Sequence, residues 1–503
     1  MKTIYLKRAE YVDIMILAEG TYPYVRGGVS SWIHQLMTEL PMFSFGICFM
    51  GSRPDDYDKI NYEFPPNLLH LEVHYMFSEV KESIFAYKNK KNPEIIAEIK
   101  KLHTWFKSQK GEIPQKVRDV SFYLNEASEE YFLHDIDVWD YMTKKYEENC
   151  PEVPFVDYFW SLRNMHKPIW LIASIVKNFP KCGLFHSPST GYAGFLGAMA
   201  SNHTDKPLFI SEHGIYTRER KIDLLNATWI NYKKPLLLQN SNDENYIKQM
   251  WINFFFKIAD FSYSKSEKIF SLFPQAKQVQ ADFGADVSKL EVIPNGVNVD
   301  LLSEAYENRK DVIPHVITLI GRVVAIKDIK TFIRAIKLAV DKIPDVEGWI
   351  VGPMDEDIEY AQECKDMVIT LGLEKNIKFL GFQNIMEILP LTGIQTLTSI
   401  SEGMPLVILE GFAAGVPCVA TDVGSCKNLI EGALDEEDIA IGKAGIVTGI
   451  ANPVSLAEAY IELFNDENLW KEMQNNGRER VEKYYRQEMF LEKYKNYYNK
   501  ALN

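Results

Sequence analysis

Two cations stand close together in the turn Gly321-Arg322-Val323-Val324-Ala325-Ile326-Lys327-Asp328, which directly follows an apolar run over 315–320. An arginine guanidinium offers a planar fork that phosphate oxygens can share, and a lysine ammonium offers a mobile point charge. A turn carrying both at the carboxyl end of a strand is suited to neutralising the charge that builds on a departing diphosphate. A second chemistry-bearing stretch is Ser401-Glu402-Gly403-Met404-Pro405-Leu406-Val407-Ile408-Leu409-Glu410, which runs on into Gly411 to Pro417. Pro405 fits the first turn of a helix, where its missing amide hydrogen would have had no partner. Glu402 then lies in the loop before that helix and Glu410 inside it, and a helical path between them spans roughly 12 Å. That separation is comparable with the two ends of a nucleotide-sugar. The helix start formed by Gly403, Met404, Pro405 and Leu406 brings free amides and the positive end of the helix dipole between the two acids, which favours a diphosphate there. One carboxylate can accept hydrogen bonds from sugar hydroxyls while the other takes those of the ribose. A glutamate embedded in the apolar run around Glu410 is costly to bury without a partner, so its presence asks for one.

The N-terminal half offers weaker candidates. Gly27-Gly28 follows Tyr22-Pro23-Tyr24-Val25-Arg26, and without a Cβ its amides can come close to a phosphate or an acceptor. It lacks the GxGxxG pattern of a dehydrogenase-type dinucleotide site. His213, in Ile210-Ser211-Glu212-His213-Gly214-Ile215-Tyr216-Thr217-Arg218-Glu219-Arg220, follows an apolar strand and precedes a glycine, which sets its imidazole at the end of that strand. Arg218 and Arg220 stand either beside an acceptor or in solvent, and His186 reads as a loop or core histidine.

These residues must be carried by elements, and the pattern is α/β: strand-like runs alternate with helix-length amphipathic segments nearly throughout. Strands are expected at 12–17, 183–187, 207–211 and 290–293 in the first half, and at 315–320, 348–351, 377–380, 394–397, 417–420 and 445–447 in the second. Asn92-Pro93 opens a helix on whose face Ile95, Ile96, Ile99, Leu102 and Phe106 recur, and the region of about 77–165 reads as a mainly helical insertion. The polar stretch 299–311 suggests a boundary. The expected division is 1–305, 306–480, and a C-terminal helix over 481–503 that packs back on the first domain. At 503 residues two domains are the natural expectation.

Bulk properties exclude several classes. A net charge of −14 argues against a nucleic-acid or anionic-membrane surface. The cysteines Cys48, Cys150, Cys182, Cys364, Cys418 and Cys426 form no CxxC pair, which suggests free thiols in a reducing cytosol and neither a zinc ribbon nor a disulfide framework. The residues at 1–10 lack the apolar core of a signal peptide, and no apolar run approaches ~18 residues, so a cytoplasmic location is expected.

Taken together, the motifs resemble the family 4 glycosyltransferases of the GT-B fold. The resemblance rests on GRxxxxK at Gly321, Arg322 and Lys327, on EGxPxxxxE at Glu402 and Glu410, and on AAGxPxxATDxG from Ala413 to Gly424. It implies two Rossmann-like domains facing across a cleft, Arg322 and Lys327 on the donor diphosphate, Glu402 on the transferred sugar, Glu410 on the ribose and His213 on the donor sugar. It also implies retention of anomeric configuration with no metal and no further cofactor. No DxD-type pair stands where a metal would be needed, because Asp355-Glu356-Asp357 reads as an exposed turn. The runs 17–32 and 211–220 and the helical insertion are similar, more narrowly, to the cytosolic glycosyltransferases of Pel-type exopolysaccharide synthesis. That likeness implies UDP-glucose or a UDP-N-acetylhexosamine as donor, a growing biofilm polysaccharide as acceptor, and association with a membrane-embedded synthase complex at the inner face of the membrane. Two other classes stay open: a catalytically silent subunit that binds nucleotide or polymer, and a UDP-sugar epimerase.

Overall fold

A computed structural model describes residues 4–77, 92–108, 113–227 and 246–503. The chain divides into two compact units, one made of Met1–Ser271, Lys277–Glu291 and Lys495–Asn503, the other of Leu272–Ala276 and Val292–Tyr494.

The first unit contains β1 (Ile4–Lys7), β2 (Tyr11–Glu19), β3 (Phe45–Gly51), β4 (Leu68–Tyr75), β5 (Lys181–Ser187), β6 (Leu208–Glu212), β7 (Lys268–Ser271) and β8 (Leu290–Val292). They form one sheet in the order β1-β4-β3-β2-β5-β6-β7-β8. From β4 through β7 the neighbours are parallel, and β1 runs antiparallel to β4. A parallel strand covered on both faces should be apolar throughout, and β3, Phe-Gly-Ile-Cys-Phe-Met-Gly, is buried at every position. The expected insertion is helical: Pro93–Lys107, Glu129–His134, Ile136–Asn149 and Phe155–Asn178, the last running past the expected end at 165. Residues 78–91 and 109–112 of it lie outside the described residues. Asn92 caps the first of these helices by accepting a hydrogen bond from the Ile95 amide, with Pro93 following. Ile95, Ile96, Ile99, Leu102 and Phe106 then enter the unit's core.

The second unit contains β9 (Val316–Ile320), β10 (Glu347–Val351), β11 (Ile377–Gly381), β12 (Ile394–Leu397), β13 (Cys418–Thr421) and β14 (Gly445–Thr448). Their order is β11-β10-β9-β12-β13-β14, all parallel. This is the doubly wound order in which the chain starts at the centre, builds one side, then crosses to build the other.

Two boundaries differ from expectation. The 299–311 stretch is not a linker: Val299–Glu307 is a helix, capped by Asn298 and anchored by buried Val299, Leu302 and Ala305 in the second unit's core, so the change of unit falls at Glu291/Val292 and not at 305/306. Its polar residues mark a solvated face. At the other end, only Lys495–Asn503 of the expected 481–503 segment belongs with the first unit. The Tyr498 hydroxyl bonds His186 Nδ1 there at 2.7 Å. Residues 481–494 stay with the second unit because the preceding turns are tied into it by Arg480, fully buried and bonded to Asp438 Oδ1 at 2.7 Å and to the carbonyls of Ile430 and Gly442. Among the described residues no helix is long and apolar enough to cross a membrane.

Candidate active site

In an open parallel sheet a ligand crevice forms at the carboxyl ends of the strands where the winding reverses. In the second unit that place lies between β9 and β12. The loop leaving β9 carries Gly321, Arg322 and Lys327, and the loop leaving β12 carries Ser399, Glu402 and Gly403. The two loops are laced together by backbone: Thr398 Oγ1 donates to the Lys327 carbonyl at 2.7 Å and the Ile400 amide to the Ile326 carbonyl at 2.9 Å. Lys327 Nζ meets Glu402 Oε1 at 2.5 Å, and Ser399 Oγ donates to the same oxygen at 2.5 Å. Both members of the ion pair are largely shielded, with side-chain exposures of 21% and 14%.

The helix Leu406–Ala413 begins beside this pair. Pro405 is the residue before its first turn, no side chain caps it, and its first turn holds no acid, so neither a cap nor a carboxylate answers its leading amides and dipole. Met404 and Pro405 are buried, and the Gly403 carbonyl is held by the Ser425 amide at 2.9 Å. Gly424 makes this possible: at φ +54° its backbone runs against the carbonyls of Glu402 and Gly403, where any Cβ would overlap them. Glu410 keeps some surface exposed, yet the apolar packing around it pushes its carboxyl pKa up to about 7. Among the described residues no side chain pairs with it.

Arg322 departs from the simple picture. Its guanidinium is half exposed and paired with Glu356 at 2.5 Å, and it does not join Lys327 and Glu402. Asp355-Glu356-Asp357 is the exposed turn expected, but it has two jobs the sequence reading missed: Glu356 holds Arg322, and Asp357 caps the helix Ile358–Thr370. Gly321 has ample room, since a Cβ there would touch only the Lys327 side chain at ordinary distance.

The first unit has its own reversal, between β2 and β5. The helix Gly28–Glu39 starts after β2 at Gly27, with no side-chain cap and no acid in its first turn. A Cβ at Gly27 or Gly28 would meet none of the described atoms within 4 Å, so the chain's own packing does not demand glycine here. His213 follows β6 and stands edge-on to Trp32, with ring centroids 4.7 Å apart. Burial lowers its pKa to about 4, so it is a neutral imidazole, and its Nε2 has no partner among the described residues. It is therefore a hydrogen-bonding group and not a charge. His186 is a core residue, between Tyr498 and Ser211 Oγ, the latter at 2.7 Å.

Two carboxylates here escaped the sequence reading. Glu19 closes β2 and accepts from the Ala193 amide at 3.0 Å and the Tyr216 hydroxyl at 3.2 Å, while burial raises its pKa. Arg220 lies over the Tyr216 and Phe255 rings and donates to the Tyr216 hydroxyl at 3.3 Å, whereas Arg218 is exposed. Glu212 is 2% exposed and accepts from Thr190, Tyr263 and Gln280. The available signal was an acid ending an apolar strand run.

Two doubly wound sheets in one chain, the second all parallel and the first parallel from β4 through β7, each with an uncapped helix start at its winding reversal, define an α/β protein of the GT-B fold. The whole-chain likeness to Anabaena HepE in complex with UDP and glucose agrees, with a TM-score of 0.56 over 96% of this chain and 98% of that one at 14% identity. Residues 12–288, more than half of the chain, match the model described as Domain of unknown function (DUF3492), and the chain belongs to that family. Residues 304–480 match Glycosyl transferases group 1. Among curated proteins, the chain is similar to N-acetyl-alpha-D-glucosaminyl L-malate synthase of Bacillus anthracis, 29% identical over 35% of this chain and 43% of that protein. It is also similar to UDP-Gal:alpha-D-GlcNAc-diphosphoundecaprenol alpha-1,3-galactosyltransferase of Escherichia coli, 30% identical over 30% of this chain and 41% of that protein. The chain thus spans less than half the length of these curated relatives.

Proposed function

We propose that this protein is a retaining glycosyltransferase of family 4 type that transfers a hexose or N-acetylhexosamine from a UDP-sugar to a growing exopolysaccharide, and that it acts as PelF does in Pel synthesis. The observation that carries the reading is the Lys327–Glu402 pair at the second unit's winding reversal, beside an uncapped helix start. The pair is partly shielded, with Ser399 as a second donor to Glu402, and a pyrophosphate arriving at the helix start gives Lys327 a stronger partner. Glu402 is then released to accept hydrogen bonds from the sugar, with Ser399 steadying its other contacts. Glu410, without a side-chain partner among the described residues and with a pKa of about 7, takes the ribose hydroxyls in its ionised form. Arg322 exchanges Glu356 for phosphate oxygens, which offer the same fork geometry.

The reaction then needs no covalent nucleophile. Lys327, Arg322 and the helix amides stabilise the negative charge on the departing UDP, and the acceptor hydroxyl attacks the face it leaves. Neutral His213 and the open backbone at Gly27-Gly28 would serve sugar or acceptor by hydrogen bonding. The named substrates of the relatives, a UDP-galactose among them, favour a nucleotide-sugar donor. The Pel assignment rests on the runs 17–32 and 211–220 and on the helical insertion, and with it go a cytoplasmic location and recruitment to a membrane synthase complex.

The test is UDP release from UDP-glucose and UDP-N-acetylhexosamines by the purified protein with oligosaccharide acceptors, with and without added Mg2+ or Mn2+. Release that needs acceptor and no added metal is expected. UDP binding without release under any condition would instead mark a silent subunit, and sugar interconversion without acceptor, read by product NMR, an epimerase.

A further inference from the structure

The middle of the first unit's sheet holds a polar cluster for which the donor chemistry has no use. Cys48 lies at the centre of β3 and is paired in register with Glu72 on β4. Residues two apart on a strand share a face, so His70 and His74 flank Glu72 on the side where Cys48 points. All four are buried, at 0% exposure for Cys48, 2% for Glu72, 1% for His70 and 5% for His74. Between β3 and β4 they sit midway along the strands, away from the carboxyl ends where the β2/β5 reversal lies.

These groups converge with only long contacts between them. Glu72 Oε1 and His74 Nε2 are 3.4 Å apart, and neither atom has a hydrogen-bond partner. Burial would raise the Glu72 pKa, yet long contacts from the His70 and His74 imidazoles hold it below the ordinary value, and the carboxylate has only long partners where a cation could stand. The Cys48 Sγ, a Glu72 oxygen and a His74 nitrogen lie within 4.8 Å of one another. Tetrahedral zinc binds nitrogen and oxygen at about 2.1 Å, which sets neighbouring ligand atoms roughly 3.4 Å apart. The Glu72–His74 spacing already has that value, and the Cys48 Sγ lies within 4.8 Å of both residues' ligand atoms, within reach of a side-chain turn.

We propose that Cys48, Glu72 and His74 form a zinc site that braces the sheet between β3 and β4. Thiolate, carboxylate and neutral imidazole together carry two negative charges, so a divalent cation leaves the buried site neutral. Binding releases one proton, from the Cys48 thiol to solvent, and forms three bonds to the metal with a fourth position left for water. The mixed sulfur, nitrogen and oxygen set suits zinc over magnesium or calcium, which take oxygen ligands alone. His70 is the positioning residue. Its Nδ1 accepts the Ala9 amide at 3.2 Å, so the neutral ring carries its proton on Nε2, aimed at Glu72 Oε2 3.5 Å away. It orients the carboxylate and is not itself a ligand.

The experiment uses the full-length protein, purified without chelator. Metal analysis is expected to find close to one zinc per chain, and replacement by Co2+ to give a tetrahedral cobalt spectrum with a thiolate-to-cobalt charge-transfer band. Cys48→Ser should lose that band and stoichiometric zinc, and His70→Gln should weaken zinc binding by about 10–100-fold while keeping the band. If Cys48→Ser fails to fold by circular dichroism, His74→Gln takes its place. Folded wild-type protein that holds no zinc, and whose Tm is unmoved by added Zn2+, overturns the proposal; so does a cobalt complex that lacks the thiolate band.

Discussion

The two winding reversals use the same sheet geometry and different electrostatics, one presenting cations and the other acids and a neutral imidazole. Between β9 and β12 the loops present cations, Lys327 and Arg322, each held by a carboxylate that a phosphate could displace. At the β2/β5 reversal and on the neighbouring β6 stand two acids, Glu19 and Glu212, whose pKa values burial raises and which accept from amides and hydroxyls, with a neutral His213 next to Glu212. One reversal carries cations in ion pairs, and at the other the acids already accept hydrogen bonds while His213 Nε2 has no partner among the described residues. A sheet of this kind supplies a place for a ligand, and only the side chains at that place decide whether the ligand is a diphosphate or a neutral polyol.

The contrast breaks most directly at Lys327. Lys327→Ala should lower transfer by about 10²–10³ in kcat, the loss typical when one charge-stabilising group is removed. Arg322→Ala should cost less, roughly tenfold, because the half-exposed guanidinium must first leave Glu356. Steady-state rates of UDP release measure both, and an unchanged kcat in Lys327→Ala would refute the cationic role. Next in size is Gly424→Ala. The added methyl must push against the Glu402 and Gly403 carbonyls at a positive φ, costing about 1–3 kcal/mol of stability, with a raised donor KM from the displaced Glu402. Urea denaturation and the KM separate this from a surface effect.

How far the sequence exposed these features depended on how local they were. Lys327 and Glu402 were legible because each sits in a motif whose turn or helix start is encoded by neighbouring glycine and proline. The same holds for the strands at 316–320 and 394–397, whose apolar runs are short and cleanly bounded. Glu356 was not legible as the partner of Arg322, since nothing near either residue specifies a contact between separate loops. The cluster of Cys48, Glu72 and His74 was hidden for the same reason: its register is set by β3 lying against β4. The helix at 299–307 was obscured because its charged outer face dominates its composition, while only three small or apolar residues anchor it.

Titration sharpens the comparison further. Glu410 has a folded pKa of about 7 against an ordinary 4.5, so between those values the folded state binds more protons than the unfolded one. Its contribution to stability is full below about pH 4.5 and is lost as pH rises through 7, on the order of 3 kcal/mol. Glu410→Gln should remove that slope, seen as a flatter Tm between pH 5 and 8. In wild type, donor affinity should rise over the same range, because ribose hydroxyls need the ionised acceptor.

His213 should give the opposite slope with a smaller amplitude. Its folded pKa near 4 lies below the ordinary 6.5, so the unfolded state binds more protons in between. The stability it confers is complete above pH 6.5 and is lost as pH falls toward 4, on the order of 1 kcal/mol across the accessible part of that window. His213→Gln keeps a polar side chain of similar reach without a titrating ring, so its Tm should fall less than that of wild type between pH 6.5 and 5. Equal slopes in the two proteins would mean that His213 is already solvated and charged near pH 6. The contrast between a neutral reversal and a cationic one would then fail on the first unit's side, while the Lys327 kinetics would still stand.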